Sequence, residues 1–506
     1  MARSIQLAIS LSILAVVTRL IWIDQPYIDT WSWRQSDVAT IADNYFRHGF
    51  HFAYPQINWA GDAPGYVGTE FPVLPFFAAV CYKFLGVHEW IGRFVTVFLF
   101  ALSLPFFFLL VRDTCHGLPA HESSAGCRCH AAAIWALLFY GFAPLNLFAG
   151  REFMPDVPSL SFALIGLYYF KRWIDDERFG FFAASACAIA LSILIKAPSA
   201  LIGAPLACLS FQSFRKPPLR LGAMLRRFDL LLFAAIALVP ATIWYWHAYS
   251  VAQSFYPHHF FGAGGIQIRS PKWYEEIAVF TITSSLTPVL VVLAAAGLVI
   301  VRRSTMQARV FQWWLVAMII FIIAAGKGNR HPWYQLPLVP ITAAFAGAAC
   351  AFFAGKISSR LTKAMLSILL VLSFCGAAFH YVRPFYRSWA VPLRDAGLAL
   401  ERTTAPDSLI IAADHGDPTI LYYAHRRGWH LPEKDAIYAG DPADARQLID
   451  DVAQLRKRGA TRLVFVSTTL WFVDHYPEFA QYLARTATLA ERTSEFTIYK
   501  LNPSQE

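Results

Sequence analysis

The stretch "IQLAISLSILAVVTRLIWIDQPYIDTWSWRQSD", residues 5–37, decides how the chain must be read. Its first part, 5–23, is apolar over the roughly 20 residues that a bilayer-crossing helix needs. Its second part sets Asp29, Arg34, Gln35 and Asp37 among Trp31 and Trp33. Dense polar chemistry thus stands directly beside a membrane-length segment. No small-residue cleavage site follows the apolar run and many apolar segments come after it, so it reads as a retained first helix rather than a signal peptide.

The rest of the sequence has the same character. Of its 506 residues, 57% are hydrophobic and only 15% charged, against about 25% charged in ordinary soluble domains. The net charge of +10 is spread in short clusters between apolar runs. That pattern fits topology signals and excludes a nucleic-acid partner. The eight cysteines lie mostly in or beside apolar segments, which implies no disulfide framework. The run holding Cys115, His116, Cys127, Cys129 and His130 matches no zinc-ligand spacing and reads as a cytosolic loop with reduced thiols.

Eleven segments are candidates for spans, near 5–23, 94–111, 131–149, 157–171, 180–195, 198–213, 230–247, 277–301, 310–326, 336–354 and 364–382. With the N-terminus inside, the inner connections carry "KRWIDDERFG", "FRKPPLRLGAMLRRFD", "RSTMQAR" and "GKISSRLTK", a positive-inside pattern. The outer side then holds 24–93, 150–156, the surroundings of Lys196, 247–276, 326–335 and everything after about 383. Asp29, Arg34, Asp37, Glu70, Arg93, Arg151, Glu152, Asp156, Lys196, Lys327, Arg330 and His331 all fall there. Ionisable groups at a bilayer edge are costly unless paired or facing a wet cavity, so their gathering on one side points to a functional cavity. For Arg93 alone, a snorkelling anchor is the better account.

Within the first outer segment, Val38, Ile41, Tyr45 and Phe46 recur at helical spacing and predict an amphipathic helix in the interface. "EFPVLPFFAAVCYKFLGVHEW" predicts a second. Beyond residue 383 the composition becomes ordinary, and helix 391–403, strand "SLIIAAD", helix "PTILYYAHRRG", helix 442–458, strand "RLVFVS", helix 470–485 and a last strand pair predict a small α/β domain. The fold expected is an α-helical polytopic membrane protein of about 11 transmembrane helices over 1–382, with outer loop 24–93, followed by an extracytoplasmic α/β domain at 383–506.

Four stretches carry a resemblance: "DTWSWRQSDVATIADNYFRHG", "TEFPVLPFFAAVCYKFLGVHEWIGR", "REFMPDVPSL" and "GNRHPWYQLPLVP", in this order. The chain resembles the GT-C superfamily of membrane glycosyltransferases, specifically the bacterial relatives of protein O-mannosyltransferases and of lipid A aminoarabinose transferases. The resemblance implies transfer of a sugar from a polyprenyl-phosphate donor to an envelope glycan, lipid or protein acceptor, usually with inversion, at the outer face of the bacterial inner membrane. It also implies a catalytic carboxylate in the first outer loop and a second acidic residue in the next, which places Asp156 in acceptor positioning or in orienting a cation. The aminoarabinose transferases carry an Asp-Glu pair followed by Arg-Tyr, whereas here "WRQ" stands between Asp29 and Asp37. The identity of the base is therefore open between these two.

Chemistry narrows the roles. An acceptor hydroxyl attacking an anomeric carbon needs a carboxylate within hydrogen-bond reach. Asp29, on an extended approach to the helix, is preferred over Asp37, whose expected place in the first helical turn has a bland dipole explanation. The departing phosphate gains charge and needs cations: Arg34, Lys196, Arg330 and His331 are the candidates, Lys196 the strongest. Gln35 is suited to bond the sugar or the backbone. For Asp156, which opens a helix after Pro155, a cap is the competing explanation. Glu70 could hold an arginine or a divalent cation, but a lone carboxylate defines no metal site, and no cofactor is implied. Trp31, Trp33, Trp59, Trp333 and Tyr334 suit sugar stacking and an interfacial aromatic belt equally. A flippase or transporter is the alternative, yet no internal repeat is visible and the polar groups gather at one face. A scaffold would need no such cluster.

Overall fold

A computed structural model of the chain describes residues 2–114, 125–214, 228–261, 265–301, 309–434, 437–438 and 440–503. The basic connections at 215–227 and 303–308, Cys115, His116 and the side chains of Cys127 and Lys327 lie outside the described residues. The chain forms two compact units: 1–23, 93–244 and 262–384 make the first, and 24–92, 245–261 and 385–506 the second. The first outer loop thus shares a compact unit with the C-terminal segment.

The first unit is helical, and each of the eleven apolar segments lies wholly or largely in helix. Among the described residues, five stretches are long and apolar enough to cross a membrane: Arg3–Leu20, Glu89–Thr114, Phe228–Ser254, Leu338–Lys356 and Arg360–Thr403. A sixth candidate is a pair, Pro271–Leu286 and Pro288–Val301, bent by 100°. The sequence reading treated 277–301 as one straight span, and the break has a local cause. Pro288 lacks an N–H and disfavours helical backbone at its predecessor, and Thr287 stands at φ 93°, outside the helical region. Its hydroxyl then accepts the Leu290 N–H at 3.2 Å, capping the new helix.

Small residues let these helices approach closely, as expected where apolar burial between helices supplies little drive. A Cβ on Gly297 would lie 1.8 Å from the Phe345 carbonyl oxygen, and one on Gly347 2.3 Å from that of Ala132. Buried charge is matched. Arg19, fully buried, donates to the carbonyls of Ala15, Gly141 and Asn146 at 2.7–2.9 Å and stands 3.6 Å above the Phe100 ring.

The second unit centres on a sheet of β1 (Leu409–Ala413), β2 (Gly428–His430), β5 (Ala460–Val466), β6 (Ala487–Arg492) and β7 (Phe496–Leu501), in the order β2–β1–β5–β7–β6. Between β2 and β5 the chain adds a small antiparallel pair, β3 (Glu433–Lys434) and β4 (Ile437–Tyr438). β1 runs parallel to β2 and β5, and β7 antiparallel to β5 and β6. Strand alternation divides the core. Ile411, Leu463 and Phe465 pack with Leu448, Val452, Phe479 and Leu483 of helices Ala445–Lys457 and Pro477–Thr486. Ile410, Ala412, Val464 and Val466 face helix Val391–Thr403 and the first-loop residues Ile41, Ile57 and Trp59. β2 was not expected; "GWH" is too short to show alternation, and it starts at the last residue of the expected helix, which itself ends at Ala424.

The predicted helix in the first loop spans Ser32–His48. It does not lie open in an interface: its residues from Arg34 to Tyr45 are buried, polar ones included. One row of polar side chains meets the C-terminal segment, with Ser32 donating to Asp417 at 2.7 Å, Ser36 bonded to Thr419 at 2.9 Å and Asp43 paired with His425 at 3.2 Å. The opposite row meets the rest of the loop. The second loop helix, Val73–Leu85, does show an exposed apolar face in Phe77, Phe84 and Leu85.

Gly297→Ala forces helices 288–301 and 338–356 apart and should destabilise the protein by about 1–3 kcal/mol, whereas Gly376→Ala, whose Cβ meets nothing within 4 Å, should be neutral or slightly stabilising. Thermal unfolding in detergent compares the two. Burial lifts the Asp417 carboxyl from the usual 3.8 to about 6, against the hydrogen bonds of Thr419 and Ser32. The folded state therefore holds this proton more tightly than the unfolded chain, and the stabilisation, complete below pH 4, is lost as pH rises through about 6. Asp417→Asn should remove that dependence, on the order of 2–3 kcal/mol between pH 4 and 7, read as a flatter profile of unfolding free energy against pH.

Candidate active-site residues

The first unit assembles Asp156, Lys196 and Tyr334. Asp156 opens helix Asp156–Asp176 but makes no capping bond. Its Oδ1 instead pairs with Lys196 Nζ at 2.9 Å, both side chains being buried. Lys196 is held there because helix Phe179–Ile195 stops at it: Pro198 follows, and Lys196 adopts extended backbone. Its ammonium also stands 4.9 Å over the Tyr334 ring. With Ser199, Phe321 and Trp333 these residues line one pocket, and Asp156 Oδ2, buried, has no hydrogen-bond partner among the described residues. Arg330 is exposed and His331 stacks on Trp333 at 4.6 Å; neither lines that pocket. Nearby in sequence, Arg151 and Glu152 form a fully buried ion pair at 2.9 Å, with Arg151 also donating to the Ile21 and Trp22 carbonyls.

The second unit gathers the first-loop residues. Asp29, fully buried, accepts the Trp31 backbone N–H at 3.2 Å and the Gln35 amide at 3.0 Å through the same oxygen. It organises the turn into helix Ser32–His48, and Gln35 is tied to it. Arg34 donates to Glu70 at 2.7 Å, and Thr69 bonds the other Glu70 oxygen at 2.9 Å. Glu70 thus holds an arginine. The helix begins at Ser32, which puts Asp37 beyond the first turn, where the dipole effect has faded. Asp37 accepts the Trp59 indole N–H at 3.1 Å. Burial raises its carboxyl to about 6, although Arg34, the Trp59 bond and His430 all pull it down.

Four residues around this cluster escaped the sequence reading. His259 meets the Trp59 ring edge-on at 5.2 Å, and burial, then Arg34, lowers its pKa to about 4. Asp414, His430 and Asp417 follow or end the parallel strands β1 and β2. The C-terminal ends of parallel strands are habitual places for functional groups, but that signal needs β2, which the sequence hid. Among the described residues, no three of His, Cys, Asp and Glu converge as metal ligands would.

Chemically, the first-unit pocket offers a buried cation with an aromatic and a carboxylate, suited to an anionic group. The second-unit cluster offers a carboxylate near neutrality beside an arginine, suited to taking a proton.

No protein-family model matches the chain, and no curated protein sequence matches it. Solved structures do. The chain superposes on ArnT from Cupriavidus metallidurans bound to undecaprenyl phosphate with a TM-score of 0.63 and 16% identity, covering 97% of both chains. It superposes on the Archaeoglobus fulgidus oligosaccharyltransferase in its apo form with a TM-score of 0.60 and 12% identity, over 99% of this chain and 74% of the other. The archaeal oligosaccharyltransferase AglB from the same organism, in complex with an inhibitory peptide and a dolichol-phosphate, gives 0.57 at 11% identity, over 98% and 74%. At these identities the likeness is one of fold, and it agrees with the fold that the resemblance implied.

Proposed function

We propose that the chain is a membrane glycosyltransferase that moves a sugar from a polyprenyl-phosphate donor to an envelope glycan, lipid or protein acceptor, with inversion. The observation that carries this reading is the Asp37 carboxylate: buried, beside Arg34, and lifted to about 6, where a proton acceptor is effective near neutral pH. The shared fold supports the donor class, since ArnT and AglB were solved with undecaprenyl phosphate and dolichol-phosphate respectively.

On this reading Asp37 takes the proton of the acceptor hydroxyl as its oxygen attacks the anomeric carbon. Asp29 shapes the approach to the helix, and Arg34, fixed by Glu70, orients and balances the base. The carbon–oxygen bond to the phosphate breaks and the phosphate leaves with an added negative charge. Within the first unit, Lys196, paired with Asp156 and over the Tyr334 ring, is a buried cation suited to a donor's phosphate. Arg330 and His331 serve as outlying cationic contacts. The protein lies in a bacterial inner membrane with about 11 spans over 1–382, and the first loop and the 383–506 domain face outward. The basic inner connections support that orientation.

Complementation tests the roles. In a strain lacking the gene, mass spectrometry of envelope glycans and glycolipids should show one product lost and restored by the wild type. Asp37→Asn should restore it poorly, with turnover down about 10²–10⁴-fold, while Asp29→Asn, which keeps its accepting oxygen, restores more; full restoration by Asp37→Asn would sink the assignment. Purified Lys196→Ala should bind undecaprenyl phosphate at least about 10-fold more weakly than wild type, and equal binding would remove Lys196 from the donor site. For orientation, a membrane-impermeant maleimide should label Glu478→Cys, an exposed position, from the outer side of the inner membrane. Labelling only after that membrane is opened would reverse the topology.

A further inference from the structure

The second unit contains a buried charge pair that the proposed chemistry does not use. Asp414 follows β1 and His430 ends β2, and the two strands run parallel with Ala412 opposite His430. His430 Nδ1 lies 2.8 and 3.0 Å from the two Asp414 oxygens, and both residues are buried. Taking such a pair out of water is costly and gives little stability in return. What it touches suggests why it is there. The His430 ring packs against the Trp59 indole at 5.7 Å between centroids, tilted by 37°. His259 meets the same indole at 5.2 Å. The Trp59 N–H points to Asp37 Oδ1 at 3.1 Å.

We propose that Asp414 and His430 are a positioning pair for the reacting carboxylate: Asp414 holds His430 as a cation against the Trp59 indole, and that contact fixes and polarises the N–H that Trp59 gives to Asp37. This deepens the reading of Asp37 as proton acceptor and rests on it. A cation against an aromatic face is attracted by the ring and draws electron density from it, which makes the N–H a better donor to an ionised oxygen. The electrostatics agree. Burial disfavours the His430 cation, but Asp414, by charge and hydrogen bond, and then Asp37 and Asp417 outweigh it and raise its pKa. His259, lowered by burial and Arg34 with only Glu70 opposing, stays neutral above about pH 4. The indole thus meets one charged and one neutral imidazole.

The test needs neither donor nor acceptor. Dicyclohexylcarbodiimide reacts with protonated carboxyl groups, so its labelling of Asp37 in the purified full chain, read by peptide mass spectrometry across pH, reports the proton on that residue. In wild type, labelling should fall away around pH 6. His430→Gln removes the cation while keeping a donor to Asp414, and should move that midpoint up by roughly half a unit or more. Trp59→Phe, which keeps a ring but loses the N–H, should move it the same way and keeps the question answerable if His430→Gln does not fold. Asp451, also lifted to about 6 by burial but surrounded by Glu433 and Asp450, is the internal control and should not move. An Asp37 midpoint unchanged in both variants overturns the inference, and so does an Asp451 midpoint that moves in parallel, because that is a general loss of structure. If Asp37→Asn is inactive in the complementation assay while the midpoint stays put, the inference alone fails; if Asp37→Asn is active, the reading of Asp37 fails and the inference falls with it.

Discussion

The second unit depends on one constraint: helix Ser32–His48 is polar and it is buried. A buried hydroxyl, amide or carboxylate without a partner costs on the order of 1–3 kcal/mol, and a charge costs more. Such a helix can persist only where matching groups approach it from more than one direction. Residues 56–70 supply Gln56, Asn58, Trp59 and Glu70 to one side, and residues 417–425 supply Asp417, Thr419 and His425 to the other. The compact unit is therefore made from widely separated stretches of chain, because no single stretch could satisfy both polar rows.

The first unit solves a different problem. Its helices are apolar enough that burial alone does not choose their partners, so close approach at Gly297 and Gly347 does much of the choosing. Within that apolar packing, charge survives only where it is matched at once. Arg19 spends its donors on helix-end carbonyls, Arg151 on Glu152 and on the carbonyls of Ile21 and Trp22, and Lys196 on Asp156. The Lys196–Asp156 pair differs in lining a pocket.

Much of the helical framework was legible in the sequence, because runs of apolar residues at spanning length leave the chain few alternatives to helix. The residues of the candidate sites were also nameable one by one, since Asp37, Arg34, Glu70, Asp156 and Lys196 are costly where they stand. Their pairings were not. Arg34 and Glu70 are 36 residues apart, and no local pattern encodes which arginine a distant carboxylate will meet. Helix Ser32–His48 was found by its period, but the same period suggested an open polar face, since burial of polar groups becomes visible only when their partners are known. The break at Thr287 had a local signal in Pro288, which an apolar run averages away. His430 was missed because its strand is three residues long.

Asp29 and Asp37 show how environment divides two like residues. They stand eight positions apart on the same approach, and from sequence the choice between them rested on an assumed helix start. The actual start at Ser32 turns the argument round. Asp29 gives one oxygen to two donors from its own turn and helix, which is what a carboxylate does when it builds local structure. Asp37, deeper in the helix, receives a single indole N–H, and burial leaves its affinity for a proton near neutrality despite Arg34. A carboxylate whose oxygen is taken up by donors of its own turn makes stable local structure. One kept dry and lightly bonded is costly to fold around, and is able to take a proton from a hydroxyl whose oxygen is turning into a nucleophile.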